Sequence, residues 1–241
     1  MWTLADYQPV TLFSLKSAGA TSSGGRTLLT PTAFSIKMAL LDAALRTRGR
    51  EIGQILWSEI RDLRISIALP AAIAVVNTFT KIVRPKKNGP SEDRGTGLIT
   101  PFGSTIAYRE YVHYGGVLGI GFQTAAGAAL PPDLENLLPQ VNYLGKRGSF
   151  LQLQAPPRMV QDDEVRDDTH WVLLTSDQTS FAMRGTLQLL DDCTPALTFQ
   201  HADIYSGKRI MLGKERVLRH IVLPYELTRS SRSFSLYERI I

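Results

Sequence analysis

Basic and aromatic side chains form the most coherent chemical pattern in this sequence of 241 residues. Lysine and arginine neutralise phosphates, aromatic rings stack on bases, and glycine-rich loops let backbone N–H groups approach phosphate oxygens. The pattern therefore indicates binding of single-stranded RNA. The basic members are Lys16, Arg26, Lys81, Arg84, Lys86, Lys87, Arg109, Lys146 and Arg147, and the aromatic members are Phe79, Tyr108, Tyr111, Tyr143 and Phe150.

His113 lies beside Tyr111, Tyr114 and Arg109 in a segment that the sequence predicts to be a hairpin turn. A histidine with a pKa near neutral suits general acid or base catalysis, as in a metal-independent ribonuclease. The alternative is an exposed turn histidine without a chemical role. None of the four histidines lies near a serine or cysteine in a way that indicates a nucleophilic triad.

Other catalytic and cofactor signatures are absent from the sequence. It contains no phosphate-binding G-x-x-x-x-G-K-[ST] loop, no H-E-x-x-H and no pair of cysteines for zinc. Residues 119–124 imitate part of a dinucleotide fingerprint but lack its third glycine, so they favour a strand and turn. The acidic residues between Asp162 and Asp168 favour a solvated turn, since no calcium-loop spacing follows. No cofactor and no metal are expected.

Composition indicates a globular protein, with 44% hydrophobic and 20% charged residues. Cys193 is the single cysteine, so no internal disulfide forms. Residues 1–10 do not have the pattern of a secretory signal. The longest apolar stretch, Ile65–Val76, is interrupted by Pro70 and is shorter than the roughly 20 residues that span a bilayer. We expect a cytoplasmic protein without a membrane partner.

The net charge of +5 is unevenly distributed along the chain. Residues 1–120 carry a net +6, residues 121–200 a net −5 and residues 201–241 a net +4. Two basic ends thus enclose an acidic middle, which fits one surface that faces a polyanion and another that faces away from it.

Hydrophobic periodicity predicts mixed helix and strand in the first half and mostly strand in the second. The first helix begins at Thr30-Pro31, carries an apolar stripe of Phe34, Met38, Leu41 and Leu45, and is followed by a second helical stretch. Residues 84–98 lack periodicity and predict a long mobile loop. Predicted strands are 9–18, 64–69, 73–83, 104–112, 117–124, 150–154, 171–175, 181–190, 196–199 and 210–223; predicted helices are 30–48, 52–63 and 133–138.

Three segments resemble the Cas-five family, the RAMP-superfamily subunit of Cascade-type CRISPR effector complexes. Residues 29–41 (LTPTAFSIKMALL) are similar to that family's entry into its first helix. Residues 107–112 (AYREYV) resemble its R-E-Y strand, and residues 143–150 (YLGKRGSF) its L-G-[RK]-R segment. The three segments lie in the family's order within the first 150 residues, and residues 155–241 match none of its motifs.

The resemblance implies a ferredoxin-like, RRM-related RAMP fold of the α+β class. It also implies a non-catalytic subunit that caps the 5′ handle of the guide RNA (crRNA) and contacts the backbone and large subunits of the complex. Several members help to read the protospacer-adjacent motif, which would add target DNA to the partners. By motif position the RNA-binding candidates are Arg109, Tyr111, Lys146 and Arg147; Lys16, Arg26 and Lys37 are added on chemistry alone.

We expect a RAMP domain over residues 1–125 and a β-rich extension over residues 126–241. Lys37 is expected to point away from the stripe of Phe34, Met38 and Leu41 and to reach a phosphate. Two other functions stay open at this point. Some branches of the same family cut precursor guide RNA without metal, for which His113 with Tyr111 or Tyr114 would serve here; the other alternative is an unrelated β-rich scaffold that binds proteins.

Overall fold

The computed structural model describes residues 1–19, 26–93, 95–166, 170–178 and 180–240. Its helices are α1 (Ala33–Asp62), α2 (Pro132–Glu135) and α3 (Phe199–Ala202). Its strands are β1 (Trp2–Pro9), β2 (Arg64–Ala68), β3 (Ala72–Pro85), β4 (Ser91–Glu92), β5 (Ile99–Thr100), β6 (Phe102–Tyr114), β7 (Leu118–Gln123), β8 (Leu151–Leu153), β9 (Arg158–Val160), β10 (Trp171–Leu173), β11 (Thr186–Cys193), β12 (Arg216–Leu223), β13 (Tyr225–Ser230) and β14 (Phe234–Arg239). The α+β class is confirmed.

Helix α1 begins two residues later in the Thr-Pro-Thr segment than predicted. Its N-cap is Thr32, whose hydroxyl accepts from the Ser35 N–H while the Ser35 hydroxyl accepts from the Thr32 N–H. The backbone is interrupted at Gly49, with φ 84° and ψ 173°. Glycine takes a positive φ without steric cost, so it joins the two helical stretches that the sequence predicts.

The first sheet has the strand order β10-β2-β7-β1-β8, and β9 also pairs with β1. All of these pairs are antiparallel. Strands that follow residue 125 therefore pair with strands that precede it. The main core joins this sheet to α1 through Ile36, Leu40 and Ile60, all 2% exposed or less.

Gly119 and Gly121 lie in β7 against a second apolar cluster that contains Trp2 and Trp171. A Cβ on Gly119 would lie 3.1 Å from Trp171 Cη2, and one on Gly121 3.2 Å from Leu4 Cδ2. These glycines make room for an indole ring. Their resemblance to a dinucleotide fingerprint thus has a packing cause, as the strand interpretation predicts.

The second sheet has the order β13-β14-β3-β6. Strands β3 and β6 pair continuously from Ile73 opposite Tyr114 to Pro85 opposite Phe102, and form a long ribbon. The predicted loop over 84–98 is wrong at its start, because β3 extends to Pro85, and it contains the two-residue strand β4, which pairs with β5 just beyond it. Arg94 lies outside the described residues.

The predicted hairpin at residues 113–116 is wrong. Strand β6 ends at Tyr114 and pairs with β3, whereas β7 pairs with β1 and β2 in the other sheet. Neither Gly115 nor Gly116 has a positive φ. Gly115 instead lies close to the chain, since a Cβ there would be 3.2 Å from the Ala72 carbonyl oxygen. The paired glycines allow a crossing between two sheets rather than a tight turn.

The first predicted strand is also misplaced. The chain forms β1 over residues 2–9, before the predicted position, and residues 10–19 make isolated bridges of Phe13 to Val112 and of Lys16 to Thr27. The glycine- and serine-rich stretch that follows, which the sequence predicts to be a loop, includes residues 20–25, and these lie outside the described residues.

The C-terminal strands are shorter than predicted, and one is wrong. The strand predicted over 181–190 starts and ends later, as β11, and the strand predicted over 210–223 is shortened to β12; the two pair antiparallel, and β11 packs on α1. Residues 196–199 lead into the short helix α3 rather than forming a strand, because Thr198 accepts from the His201 N–H and begins a turn. Strands β13 and β14 were not predicted. Within the described ranges no helix is long and apolar enough to cross a membrane.

Candidate nucleic-acid interface

A groove of about 570 Å³ runs between the N-terminal half of α1, the segment 14–16, strand β6 and the turn 143–146. Three of the predicted RNA-binding cations, Lys16, Arg109 and Lys146, line it together. They come from positions far apart in the sequence and from three different elements. The remaining lining residues are Ser14, Leu15, Leu28, Thr32, Phe34, Ser35, Met38, Ala39, Leu41, Asp42, Leu45, Tyr143, Gly145, Asp191, Ala202 and Arg216.

The floor of the groove is apolar and comes from α1. The stripe of Phe34, Met38, Leu41 and Leu45 contributes to this floor, although Leu41 is also buried in the main core and Phe34 and Met38 pack against that core. Phe34 and Met38 are half-buried and Leu45 is exposed, whereas Ile36 and Leu40 of the same helix are fully buried in the core. An apolar floor below a cationic rim can hold a base by its face while the rim contacts phosphates.

Hydrogen bonds between the segment that carries Lys16, the segment that leads into α1, and β6 hold the backbone at Lys16 in place. The Leu28 N–H donates to the Leu15 carbonyl at 2.7 Å, and the Thr27 hydroxyl donates to the same carbonyl at 3.2 Å. The Thr27 N–H donates to Glu110 Oε2 on β6 at 2.7 Å. These bonds fix the backbone and leave the Lys16 side chain exposed at the rim.

Lys146 lies in a tight turn that two glycines permit. Gly145 has φ 71° and Gly148 has φ 102°, conformations that other residues rarely adopt. The buried Ser149 hydroxyl accepts from the Ser14 N–H at 3.1 Å, and the Thr11 hydroxyl donates to the Gly148 carbonyl at 2.7 Å. The turn is thereby tied to the same segment that carries Lys16, so the two cations share one support.

Arg216 is a groove residue that the sequence reasoning missed. Its guanidinium carbon lies 4.0 Å from the centroid of the Phe34 ring, and it forms an ion pair with the buried Asp191. A stacked arginine over an aromatic floor extends the flat surface that a base could contact. No local sequence pattern indicates this contact, because Arg216 on β12 and Phe34 on α1 are far apart in the sequence and meet only in the folded protein.

The expected role of Lys37 is wrong. Its side chain is 3% exposed and its Nζ lies 2.7 Å from Asp192 Oδ1, so it is buried and already neutralised. Asp192 also lies 3.3 Å from Arg219 Nε and accepts from the Cys193 N–H at 2.7 Å. Lys37 faces away from its helix stripe as predicted, but that direction is the interior between α1 and β11.

Arg26, Tyr111 and Arg147 do not line the groove, but all three lie next to it in the chain. Arg26 precedes Thr27, which forms the bridge with Lys16; Arg147 follows Lys146; and Tyr111 is two residues from Arg109 on β6. Arg26 and Arg147 are exposed and Tyr111 is half-buried. The structure thus gathers three candidates at the groove, leaves three at its margin and buries one.

His113 lies within β6, opposite Ala74 of β3, and not at a hairpin tip as predicted. It is exposed, and Tyr111 lies two residues away on the same face of the strand. Tyr114 points to the other face, is buried, and donates from its hydroxyl to the Leu29 carbonyl at 2.9 Å. Burial raises the pKa of Tyr114 well above its ordinary value. Of the two tyrosines considered beside His113, only Tyr111 is accessible.

The acidic segment near residue 162 is occupied by internal contacts. Asp162 Oδ1 accepts from the Met1 amine at 2.7 Å and from Gln123 Nε2 at 3.0 Å, and the bond from the amine lowers the pKa of this carboxyl. Asp167 and Asp168 lie outside the described residues. Within the ranges described, the acids, histidines and cysteine form no group of three placed to hold a metal ion.

The sequence matches no protein-family model and no curated protein. Two solved structures align with most of the chain. One is a CRISPR protein from Archaeoglobus fulgidus, at 12% identity and a TM-score of 0.46 over 99% of this chain and 91% of that one. The other is a CRISPR RNA-guided surveillance complex, at 14% identity and a TM-score of 0.48 over 92% of this chain and 91% of that one. Similarities of this size do not assign a function to the chain.

Proposed function

We propose that the chain is a non-catalytic RNA-binding subunit of a Cascade-type CRISPR interference complex that caps the crRNA 5′ handle in the groove. The observation that carries this proposal is the convergence of Lys16, Arg109 and Lys146 on one groove with an apolar floor. Two of these cations lie in the R-E-Y and L-G-[RK]-R segments that resemble the Cas-five family. The partners are crRNA, other subunits of the complex and, by the same resemblance, target DNA.

The strand order supports a ferredoxin-like RAMP domain. Elements β1, α1, β2, β7, α2 and β8 follow one another as βαββαβ, and their strands lie in the order β2-β7-β1-β8. The ribbon of β3 and β6 is inserted between β2 and β7. The division into a RAMP domain at 1–125 and a β-rich extension at 126–241 stays a prediction.

The ribbon offers a surface for the neighbouring subunits in this proposal. Its distal half exposes Phe79, Val83 and Ile106, each more than 60% accessible, beside the exposed Lys81. Exposed apolar clusters of this kind mark protein interaction sites. In this proposal the groove binds RNA and the ribbon contacts the neighbouring subunits.

The test is charge reversal at Lys146 and Arg147 in the purified protein. Replacing both by glutamate is expected to weaken guide-RNA binding at least tenfold, and the loss should shrink as salt is added because the removed contacts are electrostatic. The matched control reverses Lys208 and Arg209, an exposed basic pair that does not line the groove. Equal binding by the wild type and the Lys146/Arg147 variant would contradict the proposal.

Metal-independent cleavage of precursor crRNA is the second candidate function. It is favoured by the placement of Tyr111 and His113 on one accessible face of β6. Incubation with repeat RNA in EDTA decides between the two. Cleavage that is lost in His113→Ala would establish the enzyme, and intact RNA after long incubation would leave the binding subunit.

A further inference from the structure

The solvent face of the sheet β13-β14-β3-β6 carries three aromatic rings in two rows across the strands. In the first row Phe234 of β14 lies opposite Val76, which lies opposite Tyr111 of β6. In the second row Leu236 lies opposite Ala74, which lies opposite His113. Directly paired residues project from the same face of a sheet, so all three rings share one surface.

Alternation along the strands shows which face this is. The neighbouring positions Ile73, Val75 and Val112 project to the other side and are 5% exposed or less. In contrast, Phe234 is 37% exposed, His113 is exposed and Tyr111 is half-buried. The rings therefore face outward and the core occupies the opposite side.

The charges on this face are mainly positive at the aromatic rows. Arg229 lies opposite Leu236, and Arg109 lies opposite Thr78 in the row beyond Tyr111. Arg232 is exposed in the turn between β13 and β14. The acids lie one row away at the other end, where Glu238 pairs with Glu226, and Glu226 is neutralised by Arg184 at 2.7 Å.

We propose that this face is a stacking platform for single-stranded nucleic acid that leaves the groove past Arg109. Phe234 and Tyr111 are two strands apart, about 10 Å, and His113 is about 7 Å along the strand from Tyr111. Each ring can thus accept the face of a separate base, as aromatic platforms on sheets do. The inference rests on the proposed function, because Arg109 belongs to both the groove and this face.

Arginines beside aromatic rings favour nucleic acid over a protein as the occupant. Guanidinium groups bind phosphates, and every base has a π-face on which an aromatic ring can stack. The surface can therefore bind a nucleic acid of any base sequence. Arg229, Arg109 and Arg232 would contact the backbone of a strand whose bases lie on the rings. The strand could be RNA or DNA, since both present the same bases and phosphates.

The experiment measures affinity for a short oligonucleotide of about 5 nucleotides, which fits the groove alone, and a long one of about 15. Phe234→Ala is expected to weaken binding of the long strand about tenfold and to leave the short strand unchanged. Phe234→Trp should retain the wild-type affinity. The matched control is Leu227→Ala, an exposed apolar residue that lies opposite Tyr237 on the other face of the same sheet. RNA and DNA strands of one sequence identify which polymer uses the platform.

An unchanged affinity of Phe234→Ala for the long strand, in a wild type that binds it, would overturn the platform and leave the groove proposal standing. This face would then be open to a protein partner. A wild type that binds neither RNA nor DNA at either length would overturn the proposed function and the platform together. An equal loss in Leu227→Ala would also contradict a role of the aromatic face.

Discussion

The lysines on the two sides of α1 differ in their burial and in their partners. On the side toward β11, Lys37 is buried and paired with Asp192, which also contacts Arg219. On the side toward the groove, Lys16 and Lys146 form an exposed rim above apolar residues of the helix. Lys37 thus forms a buried ion pair that holds α1 to β11, whereas Lys16 and Lys146 are candidate phosphate ligands.

The difference shows that the partner within hydrogen-bond distance decides what a lysine does. A buried cation that loses its partner leaves an uncompensated charge in a medium of low polarity, which is costly. An exposed cation without a partner costs the fold almost nothing and is free to bind a phosphate. Stability and RNA affinity should therefore respond to different lysines.

The largest expected effect is on stability at the buried side. Lys37→Met leaves Asp192 in the interior with only the partly exposed Arg219 nearby, and should lower the free energy of unfolding by about 3–5 kcal/mol. Lys16→Met is the matched control, because it removes an exposed lysine from the rim and should change that free energy by less than about 0.5 kcal/mol. Urea denaturation measures both. A similar decrease in the free energy of unfolding of both variants would contradict the claim that only the lysine on the buried side stabilises the fold.

The second effect is on RNA binding at the exposed side. Replacing Lys16 and Arg109 by glutamine should weaken guide-RNA binding about tenfold at physiological salt while the unfolding midpoint in urea stays the same. The slope of log affinity against log salt should become shallower by about 1.4, or about 0.7 for each phosphate contact with a single strand. A weaker affinity with an unchanged salt slope would mean that these side chains do not neutralise phosphates.

The smallest effect concerns Cys193, next to Asp192 on the buried side. Burial raises the pKa of this thiol to about 12, against about 8.5 in an unfolded chain. Between these values the unfolded chain loses a proton that the folded chain keeps, so the free energy of unfolding falls as the pH rises. From about pH 7.5 to 9.5 the wild type should lose about 1 kcal/mol more than Cys193→Ala does. Parallel pH profiles of the two proteins would show that the thiol is accessible when folded.

Short sequence patterns predicted those helices and strands that depend mainly on neighbouring residues in the chain. The Thr30-Pro31 segment and the apolar periodicity predicted the two helical stretches that form α1, and apolar periodicity also predicted β2 and β3. The basic residues of the R-E-Y and L-G-K-R segments were also found as candidates, and two of them meet at the groove.

Long-range pairing determined what the sequence could not predict. The sequence did not predict that the apolar stripe of α1 lines a groove as well as packing on the core, nor that Lys37 is buried where the helix packs on β11. The His-Tyr-Gly-Gly segment has the composition of a hairpin turn, yet its strands join different sheets. Arg216 reaches Phe34 only because β12 pairs with β11.

The most direct test of the groove is ultraviolet crosslinking of bound guide RNA followed by mass spectrometry of the crosslinked peptides. We expect crosslinks on the peptides that contain Lys16, Arg109, Tyr143 and Lys146, which line the groove. Lys37 should carry none, because it is buried against Asp192. Crosslinks confined to residues that lie neither in the groove nor on the open face of the second sheet, in a protein that binds the RNA, would contradict the account.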